Sequence, residues 1–175
     1  MIFANFFGAN DFLLKIKSGV NNRNMKVLFL CIGSEKIAGD SLGPLVGTLL
    51  KEKHKIPFPV IGCEDTPVNG VNISRYRGYI KDCFPTYKII AIDAALGNKQ
   101  DVGTIQFRLG GVKAGGAMGA KNQPIGDIAV LGVVGEKGSD CMQTLLNASF
   151  DDVLALAEKI ADTITEVFCK KQARI

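Results

Sequence analysis

The sequence predicts an α/β fold, a three-layer α/β/α sandwich on a mostly parallel, mixed sheet. Two observations predict it. Short, continuous apolar runs recur along the chain, as in "MKVLFLCIG" (25–33), "YKIIAIDAALG" (87–97) and "DIAVLGVVG" (127–135). Between and after them lie stretches whose apolar residues repeat at helical spacing. Continuous apolar runs suit strands covered on both faces, and strands alternating with helices suit a parallel sheet.

The elements follow in order. The first strand is 25–33. A helix over 41–53 carries Leu42, Leu45, Val46, Leu49 and Leu50 on one face, with Asp40 or Ser41 as its cap and Pro44 in its first turn, where proline is tolerated. "FPVIGCED" (58–65) is a second strand. A second helix over 69–84 groups Tyr76, Tyr79, Ile80 and Cys83. Residues 87–97 and 102–109 read as strands three and four, joined across "ALGNKQD" by a hairpin-like step that implies some antiparallel pairing. The stretch "GGVKAGGAMGAKNQPIG" has no period. It reads as a long loop, with 110–123 a mobile flap over the site. Strand five is 127–135. The closing helix begins at Ser149 with Asp152 completing a capping-box-like start, and it buries a stripe through Val153, Ala157, Ile160, Ile164 and Val167. Domain organisation follows: residues 1–24 are an N-terminal extension and 25–175 a single α/β domain.

Composition narrows the function. Charged residues are 22% of the chain and the net charge is only +4, with basic residues scattered apart from a tail at Lys170, Lys171 and Arg174. This excludes a nucleic-acid stripe and argues for no nucleic-acid partner. No apolar run reaches membrane-spanning length, and the apolar start is broken by Asp11, so a cytoplasmic protein with no membrane partner is expected. The five cysteines, Cys31, Cys63, Cys83, Cys141 and Cys169, are not closely spaced and read as buried, reduced thiols rather than a disulfide framework or zinc site. The one histidine, His54, sits at a polar helix end, which disfavours Cys-His and Ser-His-Asp chemistry. Homo-oligomerisation is left open.

The segment "GSEKIAGDSLGP" (33–44) has the strand, glycine loop and helix order of a phosphate site without its chemistry. Gly33 and Gly39 enclose one residue too many for a P-loop, and Asp40 stands where the lysine belongs. A carboxylate at a helix N-terminus repels a phosphate. Asp40, Asp65 and Asp93 are each expected at the carboxyl ends of strands one to three, where α/β sheets bind ligands. Taken singly, each has an ordinary structural use in a cap or turn.

These same stretches carry a resemblance. "GSEKIAGDSLGP", "IIAIDAALG" and "GTIQFRLGGVKAGGAMGAKN" resemble the bacterial spore germination protease, whose pattern puts two essential aspartates at Asp40 and Asp93. "CIGSEKIAGDSLGPLVG" and "PVNGVN" are similar to the YyaC-type sporulation proteins. More distantly, the chain resembles the hydrogenase maturation endopeptidases, a phosphorylase/hydrolase-like fold. There Asp40 and Asp65 match two metal-binding carboxylates, while the third ligand, a late histidine, has no counterpart here. The resemblance implies a spore-associated peptidase of atypical aspartic type, acting on a protein or peptide and located in the forespore or spore interior. It implies Asp40 and Asp93 as the catalytic pair and no cofactor; the missing late histidine and the lack of paired cysteines argue against a tightly held transition metal. Asp65, Gly115, Gly116 and Lys121 contact substrate on this reading. The glycines admit a close backbone, and Lys121 meets developing negative charge. Two alternatives stand beside it: a non-enzymatic peptide-binding sporulation protein of the same fold, and a hydrolase using an oxygen-bound metal at Asp40, Asp65 and Asp93.

Overall fold

The computed structural model describes residues 26–116, 119 and 121–169. The basic tail and the segment 1–24 lie outside the described residues. Five strands form one sheet: β1 (Val27–Cys31), β2 (Val60–Ile61), β3 (Lys88–Gly97), β4 (Ile105–Leu109) and β5 (Ile128–Glu136), in the order β2-β1-β3-β5-β4. The β1–β2, β1–β3 and β3–β5 pairs are parallel and β4–β5 is antiparallel.

Helices cover both faces, as the patterning predicts. On one face lie α1 (Leu42–Thr48), which continues as one π-helical turn to Lys53, and the long α4 (Phe150–Cys169). Leu42, Leu45, Val46 and Leu50 of α1 and the Val153–Val167 stripe of α4 bury Phe29, Ile90, Ile92, Phe107 and Val130. On the other face α2 (Ile73–Cys83) places Ile73 and Ile80 over Leu28, Leu30, Ala91 and Ala129. The alternation of Phe29 with Leu28 and Leu30 divides one strand between two cores, so β1 is apolar throughout. Phe29, Phe58 and Phe168 close the bottom of the first core edge-to-face, at centroid separations of 5.4–6.0 Å.

Several local expectations are corrected. β4 does not pair with β3, because a parallel β5 is inserted between them; the antiparallel pairing is with β5. β2 shrinks to two residues. On α2, Tyr79 and Cys83 are exposed and the buried face runs through Ile73 and Ile80. A further helix, α3 (Cys141–Leu146), was not anticipated. Its signal was present, since Asp140 caps it by accepting the Gln143 N–H at 2.9 Å. Neither Asp40 nor Ser41 caps α1 with its side chain; the Ser41 hydroxyl donates back to the Ala38 carbonyl at 2.7 Å. At α4, Ser149 does cap, accepting the Asp152 N–H at 3.3 Å. No disulfide joins the cysteines among the described residues, and of the five only Cys31 and Cys63 are buried. Among the described residues no helix is long and apolar enough to cross a membrane.

Candidate active site

Asp40 is held by the loop between β1 and α1. The chain leaves β1 and turns at Gly33, whose φ of +147° favours glycine. A Cβ there would collide with the Asp40 carbonyl oxygen. The Ser34 N–H donates to that oxygen at 3.1 Å, and the Asp40 N–H donates to the Ile37 carbonyl at 2.9 Å. Gly43 then rests on the Ile32 backbone, where any side chain would clash with the Ile32 carbonyl. The glycines of "GSEKIAGDSLGP" therefore serve close packing of a loop and helix on a strand end. The result is a carboxylate only 7% exposed.

Asp93 is placed by strand register. The last β1–β3 pair is Cys31↔Ile92, so Asp93 is the first β3 residue beyond the end of β1. β3 itself runs on to Gly97, so Asp93 lies in mid-strand rather than at the strand end the sequence suggests. Its neighbour on the other side is Leu131 of β5, which in turn faces Gln106 of β4. The row beneath is Ala91, Ala129 and Arg108. Two small side chains in that row leave space for the Arg108 guanidinium on the same face as Asp93. Asp93 is 8% exposed and its Oδ1 accepts the Ala94 N–H at 2.9 Å.

Both carboxylates open into one cleft of about 730 Å³. Its walls include Ala94, Ala95 and Leu96 of β3, Arg108 of β4, and Gly115 and Gly116 of the glycine-rich loop. Burial raises the Asp40 carboxyl to about 6, against the Ser34 N–H, which lowers it. Burial first, and then the charge of Asp40, hold Asp93 well above the usual carboxylate range, against the Ala94 N–H and Arg108. Two interacting carboxyls in one low-dielectric site are thereby pushed toward different protonation states.

The remaining expected residues divide. Gly115 and Gly116 line the cleft; Asp65 and Lys121 do not, and both are exposed. Asp65 sits at the tip of a turn closed by the Cys63 N–H donating to the Thr66 carbonyl at 3.3 Å. His54 ends the π-helical turn and places Nε2 3.2 Å from Asp162 on α4, away from the cleft walls. Among the described residues no three of His, Cys, Asp and Glu cluster as metal ligands, so Asp40, Asp65 and Asp93 do not form one donor set. The Cys141 thiol also lines the cleft but does not cluster with Asp40 and Asp93 as a donor set, and two carboxylates alone do not fit a tightly held nickel or zinc ion.

The sequence reading missed Arg108, Lys113 and Lys137, all of which line the cleft. The Arg108 Nη2 donates to the Gly111 carbonyl at 3.1 Å, while its buried Nε has no hydrogen-bond partner among the described residues. Alternation in "IQFRL" was the available signal. Ile105 and Phe107 are buried on one face, which leaves Gln106 and Arg108 on the other.

Comparison with known proteins adds the family. Residues 7–163 match the family described as "Protein of unknown function (DUF1256)". The chain belongs to this family. It is 32% identical over 142 residues to the "Uncharacterized protein YyaC" of Bacillus subtilis strain 168, covering 79% of this chain and 68% of that one. Among solved structures it resembles the NiFe hydrogenase maturation protease HycI of Thermococcus kodakarensis KOD1, with a TM-score of 0.53 at 17% identity, over 89% of this chain and 99% of that one. It also resembles the NiFe hydrogenase maturation protease HybD of Thermococcus kodakarensis, with a TM-score of 0.53 at 22% identity, over 83% and 100% of the two chains. At these identities the likeness to the two proteases establishes the fold, which agrees with the distant resemblance read from the sequence.

Proposed function

We propose that this DUF1256 protein is a peptidase that hydrolyses a protein substrate with Asp40 and Asp93. The observation that carries this reading is that two buried carboxyls share one cleft, where Asp40 acts on Asp93 electrostatically and both are shifted upward. Near neutral pH, Asp40 is ionised and takes a proton from water. The water oxygen bonds to the scissile carbonyl carbon, and protonated Asp93 donates to the carbonyl oxygen. The C–N bond then breaks as the amine leaves with a proton returned through the pair. Gly115 and Gly116, bare of side chains, admit the substrate main chain. Arg108, inside the cleft, takes the charge-stabilising part that the sequence suggested for Lys121. The protease fold of the structural neighbours supports the reaction class, and the resemblance to the germination protease supports a role in sporulation or germination inside the forespore or spore.

The test is incubation of the purified protein, and of its Asp93→Asn form, with extracts of spore and of vegetative-cell proteins, read as new peptide termini by mass spectrometry. New termini from the wild type alone are expected. Equal termini from both forms would overturn the mechanism. Termini confined to the vegetative extract would overturn the sporulation role.

A further inference from the structure

β3 outruns its neighbour on one side only. Pairing with β1 ends at Cys31↔Ile92, whereas pairing with β5 continues to Gly97↔Glu136. The direction of the backbone groups follows from the bonds at either end. Lys88 donates to the Lys26 carbonyl and the Ile92 carbonyl accepts from Ile32, both at 2.8 Å, so the even-numbered residues of β3 face β1. The Ile89 carbonyl accepts from Asp127 at 2.8 Å and the Gly97 carbonyl from Lys137 at 2.7 Å, so the odd-numbered residues face β5. Ala94 and Leu96 therefore point their N–H and C=O groups to the side that β1 has left. The Ala94 N–H is taken by the Asp93 carboxylate. This leaves the Ala94 C=O and the Leu96 N–H and C=O, an acceptor, donor and acceptor row with no strand neighbour among the described residues.

An unpaired strand edge inside a fold is costly unless it is covered, and it is a ready template for another chain. This edge is not at the rim of the sheet. It lies in the middle of the sheet order, directly follows Asp93, and forms a wall of the cleft that Asp40 also lines. The neighbouring side chains are the small Ala94 and Ala95, and Gly115 and Gly116 also border the cleft, so there is width for a main chain.

We propose that a polypeptide segment in extended conformation adds to the Ala94–Leu96 edge as an extra strand, in line with β1. Main-chain hydrogen bonds supply the binding, as in other strand-addition complexes. The placement of a scissile bond over Asp40 and Asp93 rests on the peptidase reading, whereas the strand addition does not. The occupant is thus an unfolded or locally extended stretch of protein, since a helix or a tight turn cannot present alternating backbone groups to this row.

The experiment follows the Leu96 amide by NMR hydrogen exchange in the Asp93→Asn protein, which prevents turnover, with and without a randomised decapeptide pool. Slowing of about tenfold or more at Leu96, with the β5-facing Ala91 amide unchanged, is expected. Leu96→Pro is the matched variant. It removes the edge N–H without touching the β5 ladder, and Ala95 before it is already extended. With the melting temperature preserved, it is expected to lose about tenfold in peptide affinity. An unchanged Leu96 amide overturns the proposal, as does wild-type affinity in folded Leu96→Pro. If that variant does not fold, the amide measurement decides. Leu96 protection without new termini in the cleavage assay upholds strand addition and removes the peptidase reading. New termini without Leu96 protection do the reverse.

Discussion

Burying the Asp40 carboxyl in the cleft has a cost in stability that depends on pH. The folded carboxyl is raised to about 6 by burial, above the ~3.9 of an unfolded aspartate. Between those values the folded state binds more protons than the unfolded one, so stability falls as pH rises from about 4 through about 6 and stays lower above it. The loss is on the order of 3 kcal/mol at ~1.4 kcal/mol per unit. Asp40→Asn is accordingly expected to be more stable than wild type at about pH 8, with the gain gone near pH 4; denaturant melts at the two pH values measure it. The same substitution, and Asp93→Asn, should each cut peptide cleavage by about 10²–10⁴, the usual worth of a general acid or base. Cleavage by the wild type should rise with pH through about 6 as Asp40 ionises, and fall at higher pH as Asp93 loses its proton. A rate profile flat across that range would contradict the division of roles.

Among the elements, the β1–α1 corner and the glycine-rich loop differ in how much of their structure local pattern carries. The corner was legible as strand, loop and helix, but not the reason for its glycines, which is contact between backbones distant along the chain. Gly43→Ala pushes a methyl into the Ile32 carbonyl and should cost about 2 kcal/mol or more in a denaturant melt, displacing Asp40 with it. The loop is less free at its ends than a run of glycines suggests. Val112 and Ile125 exchange both backbone hydrogen bonds, at 3.0 and 2.9 Å, and both side chains are buried. Asn122 donates to the Gly70 and Ala114 carbonyls at 2.9 Å each. Residues 117, 118 and 120 of the expected flap lie outside the described residues. The amides of Val112 and Ile125 should therefore exchange slowly, and Asn122→Ala should speed Val112 by about tenfold, as read by NMR.

At the scale of the molecule, sheet order is what assembles the cleft. With β5 between β3 and β4, Arg108 comes onto the same face as Asp93 from a strand that the chain order alone would have placed next to β3. Early termination of β1 uncovers Asp93 and the edge after it. The sequence by itself determined the strands, the three long amphipathic or buried segments and the candidacy of Asp40 and Asp93. Those properties are written in local period, in the start of a helix and in the polar residue interrupting an apolar run. It did not contain the exposure of Asp65 and Lys121, the presence of Arg108 in the cleft or the open edge of β3. Each of these depends on which strand lies beside which and on where one strand stops against another. That choice is made by the packing of two cores against both faces of the sheet, between residues too far apart in sequence for any local pattern to record.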